Sequence, residues 1–421
     1  MPTVPLANTK FQLDIAGIAG FLGGDDAVNA MATVFLYRGR QWSGWYNAPG
    51  SFDVAKKYGQ LARSGFWDAV FSGPSEDPAT FFGYDGKRGP MFTRVDPSLG
   101  PMETGHLGYM LFQDCKSLRP DDSVRGRYTS FHAVTVVNLD HVPAITMQLS
   151  SRPGAARLST FPILTSFSTT ALCGYYSDWY CFTAILLGII TNGLSCMVIG
   201  SGIFKFTHPF AAQGSSRGDG ILEDSSGNEA VILLGPESAV NSVTRGKFDL
   251  HFRGAPELTQ IGLCSVLMIG HLLAQVILIP QGTLFGQIMF LTSFIASGVY
   301  NSYLSSINRD RIQGEVLLSL VLQHPRRTKY IFGTRTAWWV FMLLVLRPRD
   351  SQKFLDDRCP NTTIWQIWKR GVLHQLETKG QFDFDDSEFD SLSERERGLL
   401  SVLYGDAKVA YEHYMQTQGS R

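Results

Sequence analysis

Two long stretches of this chain are almost free of charge. Residues 158–204 contain one charged side chain, Asp178, and residues 258–308 contain none. A helix of about 20 apolar residues crosses the roughly 30 Å hydrocarbon core of a bilayer, so each stretch is about twice one span. A short polar turn interrupts each stretch near its middle, at residues 175–180 and at residues 280–282. The pattern predicts two membrane-spanning helical hairpins.

The charges that flank these stretches predict an orientation. The four spans are expected at residues 158–174, 180–204, 260–279 and 284–304. Lys205 follows the second span, and Arg309 and Arg311 follow the fourth, whereas neither polar turn contains Lys or Arg. Basic residues near the ends of spans favour the cytoplasmic side. The N-terminus, the central loop and the C-terminus are therefore predicted to be cytoplasmic, in a membrane that the pattern does not identify.

A fifth apolar run, residues 337–346, is bracketed by Arg335 and Arg347. It has about half the length of a span. A longer span would bury Lys329 or Arg335 at a cost of about 2.5–3.5 kcal/mol each near the membrane centre. The run therefore favours an apolar helix at about 336–347 that lies on the cytoplasmic membrane interface, with a fifth span as the alternative.

The remaining sequence predicts aqueous segments around the hairpins. Residues 130–139 and 144–149 alternate like paired strands, and residues 220–223 and 228–234 flank a hairpin turn. The predicted fold class is an α-helical membrane protein, with four transmembrane helices as two hairpins and small α+β cytoplasmic segments. The predicted regions are an N-terminal cytoplasmic α+β region at 1–157, hairpins at 158–204 and 258–307, a cytoplasmic β-rich module at 205–257, and a helical C-terminal region at 308–421.

Composition removes several classes of function. The formal net charge is zero, which argues against a nucleic-acid partner. The six cysteines include no C-x-x-C pair, which argues against a disulfide framework and a structural zinc site. We find no motif that indicates catalytic residues, a cofactor or a metal ion. The acidic stretch 383–390 lacks the ligand order of a calcium loop and favours a solvated linker.

Four polar residues inside the predicted spans are the candidate site residues: Asn192, His271, Gln275 and Gln287. His271 and Gln275 are four residues apart, so they share one face of a helix. Polar groups inside a membrane mark an ion or proton pathway in some proteins. Alternatively, these residues form hydrogen bonds between helices, which contribute about 0.6–2 kcal/mol per contact. We favour this second interpretation.

Ser293 and Ser297 give the fourth predicted span a face of small residues. Such a face lets two helices approach closely. Packing inside one bundle is favoured, and a homo-oligomer through this face is the alternative.

Six runs of the sequence carry a resemblance: GLCSV at 262–266, IPQGTLFGQIMF at 279–290, YNSYLSS at 300–306, NGLSCMVIGSG at 192–202, AVNSVTRG at 239–246 and GTRT at 333–336. These runs resemble a family of uncharacterised multi-pass membrane proteins from mushroom-forming (basidiomycete) fungi. The similarity covers about residues 155–375. It implies a membrane protein and carries no activity with it.

The sequence leaves three functions open. The short outer turns and the long cytoplasmic segments favour a non-enzymatic membrane scaffold or interaction protein, whose partner in the membrane is the lipid bilayer. A small-molecule channel or transporter, acting as an oligomer, is the first alternative. A membrane enzyme with a cytoplasmic site is the second. A water-filled cavity joining the four polar residues would favour the channel, and a dry, close-packed bundle would count against it.

Overall fold

The chain, seen in a computed structural model, folds into two compact units. The described residues are 4–6, 23–62, 70–71, 76–95, 100–124, 126–148, 155–212, 214–224, 227–252, 259–378 and 392–419. The helical unit comprises Met1–Gly86, Thr146–Phe206 and Phe248–Gln313, and the sheet unit comprises Lys87–Ile145, Thr207–Lys247 and Gly314–Arg421. Each unit combines three separate stretches of the chain, because residues far apart in the sequence contact one another within it. The units therefore differ from the five contiguous regions expected from the sequence.

The helices and strands are numbered in chain order. The α-helices of the described residues are α1 Gly24–Ala32, α2 Ser51–Leu61, α3 Pro78–Phe81, α4 His106–Ser117, α5 Thr160–Tyr175, α6 Trp179–Gly200, α7 Glu237–Thr244, α8 Thr259–Leu278, α9 Leu284–Ser305, α10 Arg309–Val316, α11 Arg335–Leu346, α12 Ser351–Asp356, α13 Thr363–Thr378 and α14 Glu394–Gly419. The strands are β1 Met91–Arg94, β2 Met102–Glu103, β3 Asp122–Ser123, β4 His132–Asn138, β5 Thr146–Gln148, β6 Ile203–Thr207, β7 Gly220–Glu223, β8 Glu229–Leu234, β9 Lys247–His251 and β10 Arg326–Phe332.

Four long helices, α5, α6, α8 and α9, form the frame of the helical unit. α6 packs against α5 and α8, and α9 packs against α5. The N-terminal helices complete the bundle, α1 against α9 and α2 against α8. Ile185, Ile189 and Phe290 are among the buried side chains that fill the interior. Residues 24–61, which the sequence placed in an aqueous region, are thus part of this helical core.

Asp178, the one charge of the first apolar stretch, links the two polar turns. Its carboxylate caps α6 by accepting a hydrogen bond from the backbone N–H of Cys181 at 3.1 Å. The second oxygen accepts from the backbone N–H and the hydroxyl of Thr283, at 2.7 and 2.6 Å. Thr283 in turn caps α9. The start of α6 is therefore held beside the start of α9.

Two helices of the described residues are long and apolar enough to cross a membrane. They are Trp179–Gly200 and Thr259–Gln281, with mean hydropathies of 2.0 and 2.2. The predicted fold of four transmembrane helices in two hairpins is therefore wrong. α5 has 16 residues and spans about 24 Å, less than the hydrocarbon core. α9 is longer but carries Gln287 and Asn301 together with Ser and Thr residues, which make it more polar.

The predicted small α+β segments are also wrong, because a mixed seven-stranded sheet forms the centre of the sheet unit. The strand order is β2-β1-β7-β8-β4-β10-β3. The pairs β4–β8 and β10–β3 are parallel, and the other neighbours are antiparallel. β4 is rich in β-branched Val and Thr, which favour extended backbone. Val134 of β4 packs in the core with α11. Lys329 of β10 lies on the opposite face of the sheet, where its ammonium donates a hydrogen bond to a carbonyl at the C-terminal end of α4.

The two strands expected around residues 138–143 do not pair with each other. β4 lies between β8 and β10, whereas β5 joins β6 and β9 in a separate three-stranded sheet. The hairpin expected from residues 220–223 and 228–234 is confirmed, because β7 and β8 pair in antiparallel register. The short turn between β7 and β8 is encoded locally. The neighbours of β4 come from distant parts of the chain and leave no local signal.

The fifth apolar run forms α11 in the core of the sheet unit, not on a membrane interface. Thr334 caps the helix, and Arg347, with a positive φ of 46°, ends it before Pro348. Ten of its 12 residues are buried, which is typical of a helix that is apolar on every side. The indole of Trp338 donates a hydrogen bond to the carbonyl of Ala133 in β4 at 3.1 Å. The acidic stretch 383–390 lies outside the described residues.

Candidate functional site

The helical unit contains a buried arginine, Arg40, that is only 1% exposed. Its guanidinium donates hydrogen bonds to the Tyr46 hydroxyl at 3.1 Å and to the Cys196 sulfur at 3.3 Å. Its Nε is buried without a hydrogen-bond partner. Its Cζ also lies 5.5 Å from the centre of the Tyr300 ring. Within the described residues no carboxylate contacts this cation.

Polar contacts continue from Arg40 to the long helices. The Tyr46 hydroxyl donates to Oδ1 of Asn301 on α9 at 2.9 Å. Asn192 on α6 donates to the backbone carbonyls of Gly44 at 2.7 Å and Tyr46 at 3.2 Å. Burial raises the pKa of the Tyr46 phenol, so the hydroxyl stays protonated and remains a donor. The segment that carries Arg40 is thus fixed at several points to α6 and α9.

Two glycines on α6 allow this segment to approach closely. A Cβ on Gly193 would lie 2.4 Å from the Trp45 ring, and a Cβ on Gly188 would lie 2.1 Å from Oδ1 of Asn47. Neither distance is compatible with a side chain. α6 therefore offers a groove in which residues 44–47 lie against its backbone.

A second group of polar contacts surrounds His271 on α8. Its Nδ1 lies 2.9 Å from the Ser51 hydroxyl, and its Nε2 lies 3.0 Å from the amide nitrogen of Gln275. Because each ring nitrogen has a side-chain partner within hydrogen-bond distance, the imidazole is held in a fixed orientation between α2 and α8. Oε1 of Gln275 is buried without a partner.

Asn47 forms hydrogen bonds to α5 and α9. Its backbone N–H donates to Ser166 on α5 at 3.1 Å, and its amide nitrogen donates to Ser293 on α9 at 3.0 Å. Ser293 and Ser297 are completely buried. The small-residue face of α9 is therefore packed against the N-terminal segment of its own chain.

An enclosed cavity of about 10 Å³ lies among these groups. Ala, Met, Pro and Val side chains line part of it, and its polar lining comes from Arg40, Tyr46, Thr191, Asn192, His271 and Asn301. About 10–15 Å³ is the room that one water molecule requires. The cavity, which we call the Arg40 cavity, therefore admits a single species of the size of water.

The electrostatics of the Arg40 cavity favour a negative charge. A guanidinium stays protonated in proteins, so Arg40 carries its charge out of water at a cost of several kcal/mol. The faces of Tyr46 and Tyr300 offset roughly 0.5–2 kcal/mol of that cost each. A unit negative charge about 4 Å away would contribute about 4 kcal/mol more at an effective dielectric constant of 20. None of the described lining residues supplies that charge.

No known protein family, curated protein or solved structure matches the chain. The resemblance to the fungal multi-pass family therefore stays a prediction. Among the described residues no group of three or more His, Cys, Asp or Glu side chains is placed to hold a metal ion. The six cysteines are buried free thiols.

Two of the four predicted site residues line the Arg40 cavity, and a third contacts one of them. Asn192 and His271 line it, and Gln275 contacts His271. Gln287 lies apart from them, because its amide donates to the Ile279 carbonyl at 3.1 Å and holds the second polar turn. It contributes to the ends of the helices and not to the cavity.

The sequence pattern does not single out Arg40, Tyr46 or Asn47. These residues precede the first apolar stretch by more than one hundred positions, so helical periodicity cannot connect them to it. One feature of the local sequence does indicate burial. Residues 39–47 read Gly-Arg-Gln-Trp-Ser-Gly-Trp-Tyr-Asn, in which three aromatic residues accompany a single charge. Such a composition favours burial, and Arg40 and Tyr46 are buried whereas Trp42 is 59% exposed.

Proposed function

We propose that the chain is a non-enzymatic membrane protein. Its helical unit is embedded in a lipid bilayer, which α6 and the helix Thr259–Gln281 cross, and its sheet unit is an aqueous module for interaction with partners. The observation that carries this proposal is the apolar outer surface of the helical unit.

Large apolar side chains point outward from the long helices. Leu164 on α5 is 66% exposed, and Leu263 and Ile277 on α8 are 60% and 62% exposed. Val299 on α9 is 63% exposed. Other large hydrophobic side chains with exposed surfaces on these helices are Phe161, Phe167, Leu172, Ile190, Leu194, Val266, Leu273, Val276 and Ile295. Soluble monomers rarely expose apolar surface on this scale, whereas a bilayer covers it.

The interior of the helical unit counts against a channel or transporter. The Arg40 cavity is enclosed and holds about one water molecule, and it does not reach Gln287. A conducting path requires connected polar space across the membrane. The close packing of α6, α8 and α9 instead supports a rigid anchor.

The sheet unit carries a groove suited to protein partners. A groove of about 490 Å³ is lined by side chains of α11, α13 and α14. Leu343 and Leu373 contribute apolar surface, and Tyr411, Tyr414 and Met415 contribute side chains of the types enriched in protein interfaces.

The charge pattern supports a cytoplasmic location for the segment between α6 and the helix Thr259–Gln281. Asp178 and Thr283 hold the polar turns together at one end of the helical unit, and these turns contain no Lys or Arg. Lys205 follows the opposite end of α6. Under the positive-inside rule the end with Lys205 faces the cytoplasm.

A pair of Val→Arg substitutions tests the membrane assignment. Val266 is an exposed residue near the middle of α8, and Val142 is an exposed residue of the sheet unit. In a bilayer Val266→Arg places a cation among lipid chains and costs about 2.5–3.5 kcal/mol, whereas a water-exposed substitution stays within about 0.5 kcal/mol. We expect carbonate-resistant, folded protein in membrane vesicles to decrease for Val266→Arg and to be unchanged for Val142→Arg.

Wild-type protein released by alkaline carbonate, or equal behaviour of the two variants, would contradict membrane embedding. In the same sealed vesicles, a protease-cleavable tag inserted between α6 and the helix Thr259–Gln281 reports the orientation. Protease should remove it only when the cytoplasmic face is outward.

A further inference from the structure

Exposed aromatic side chains surround the first polar turn of the helical unit. Tyr175 is 65% exposed, Trp179 is 60% exposed and Tyr180 is 50% exposed. Tyr176 packs edge-on against Phe285 of α9, with the ring centres 4.9 Å apart. We call Tyr175, Tyr176, Trp179 and Tyr180 the aromatic end. Because three of its four rings are at least half exposed, they offer a surface to a partner outside the chain.

The aromatic end lies beside one end of each helix that is able to cross a membrane. α6 begins directly after Asp178, whose carboxylate accepts a hydrogen bond from the backbone N–H of Thr283 at 2.7 Å. Thr283 comes just after the end of the helix Thr259–Gln281. A Cβ on Gly282 would lie 2.3 Å from the sulfur of Cys181, so the backbone passes α6 closely at this point. The two helices therefore share this end.

The length of α6 places the aromatic end at a membrane boundary. α6 has 22 residues, which at a rise of about 1.5 Å per residue span about 33 Å, close to the roughly 30 Å hydrocarbon core. Trp179 is the first residue of α6, so in a bilayer it lies where the acyl chains meet the headgroups. Trp and Tyr are enriched at this depth, because they combine an apolar ring with a polar N–H or hydroxyl.

We propose that the aromatic end binds the headgroup layer of the non-cytoplasmic leaflet and fixes the depth of the helical unit in the bilayer. The proposal rests on the membrane location proposed above and adds which lipid layer these residues contact. Residues 158–204 and 258–308 contain no Lys or Arg. The contact therefore depends on insertion of the rings and not on attraction to anionic lipids, so zwitterionic phosphatidylcholine is sufficient.

Quenching of Trp fluorescence by brominated lipids tests the depth. The full-length protein is placed in phosphatidylcholine vesicles whose acyl chains carry bromine either near the headgroup or near the chain end. The chain has eight Trp residues, so the contribution of Trp179 is the difference between the wild type and Trp179→Phe. We expect bromine near the headgroup to quench this contribution several-fold more strongly. Equal quenching at both depths, or quenching by a water-soluble agent alone, would overturn the proposal.

A matched variant locates the signal. Trp365 is a partly buried Trp of the sheet unit, which lies outside the bilayer in the proposed arrangement. The intensity that is lost to bromine near the headgroup should decrease in Trp179→Phe and stay the same in Trp365→Phe. Equal decreases in the two variants would contradict the proposal. Replacing part of the phosphatidylcholine by anionic phosphatidylglycerol should leave the quenching unchanged, and quenching that requires the anionic lipid would also contradict it.

A variant with an added reporter covers the case in which Trp179→Phe does not fold. Tyr180→Trp should increase the intensity that is lost to bromine near the headgroup, and no increase would overturn the proposal. Failure of this proposal is distinguishable from failure of the membrane location. Release of the wild-type protein by alkaline carbonate contradicts the membrane location. Protein that resists carbonate but whose Trp179 is not quenched near the headgroup overturns only the role of the aromatic end.

Discussion

At the scale of single residues, the helical unit contains two buried charges that differ in how completely they are hydrogen-bonded. Asp178 is 3% exposed, and its carboxylate accepts hydrogen bonds from Cys181 and Thr283. Arg40 is equally buried, yet its Nε has no partner. Most buried polar groups are fully hydrogen-bonded, as Asp178 is, and an incompletely paired one is an exception. The sequence shows both residues and distinguishes neither.

Asp178→Asn should destabilise the helical unit by about 2–3 kcal/mol. The amide cannot accept the charge-assisted hydrogen bonds that Thr283 donates, and such bonds contribute about 1.5–3 kcal/mol each. Urea unfolding of the two proteins in the same lipid or detergent measures the difference. Asp140→Asn, at an exposed position, is the control and should have no effect. Equal stability of Asp178→Asn and the control would show that the two turns are held together in another way.

At the scale of elements, helices of similar apolar composition lie in two different surroundings. α8 leaves Leu263, Val266 and Ile277 exposed on one face, whereas α11 buries nearly every side chain. Hydropathy along the sequence detects both helices. It cannot tell a helix covered by lipid from one covered by a sheet, because both surroundings exclude water.

Phe341→Ala tests the position of α11 in the core of the sheet unit. Phe341 is 1% exposed and packs against Tyr330 and Phe332 of β10. Removing a buried Phe ring costs about 3–5 kcal/mol. We expect a loss of this size in chemical unfolding, against a small loss for Phe131→Ala, an exposed Phe in the same unit. Similar losses for the two variants would contradict a buried α11.

The prediction of elements succeeded where the signal is local. The turn between β7 and β8 and the polar breaks at residues 175–180 and 280–282 are encoded by a few neighbouring residues. The neighbours of β4 are β8 and β10, which follow much later in the chain. Sequence alone therefore found the strand β4 and paired it wrongly with β5.

At the scale of the whole molecule, the chain interleaves two units. Three stretches form the helical unit and three form the sheet unit. Two buried histidines, His132 and His413, make the sheet unit sensitive to pH. Burial lowers the pKa of both rings, Arg335 lowers that of His132 further, and Asp122 opposes the shift at His413.

Acidification should therefore destabilise the protein. The unfolded histidines, with a pKa of about 6.5, take up protons before the folded ones do. The stability from these two groups is complete above about pH 6.5 and is lost as the pH falls towards their lowered folded values. Thermal unfolding at pH 7.5 and 5.5 measures the loss. His413→Gln should reduce the difference, and His374→Gln, at an exposed position, should leave it unchanged. A Tm that is higher at pH 5.5 would contradict the argument.

The sequence by itself determined where long apolar helices form, where they break, and which polar residues lie within them. It placed Asn192, His271 and Gln275 in apolar surroundings because charge and hydropathy are local properties. Only the tertiary structure decided that, among the described residues, α6 and the helix Thr259–Gln281 suit a membrane crossing, that α11 lies in the core of the sheet unit, and that Arg40 reaches the cavity beside His271. Those outcomes depend on contacts between distant residues, and burial of a charge or an apolar face is a property of the assembled fold.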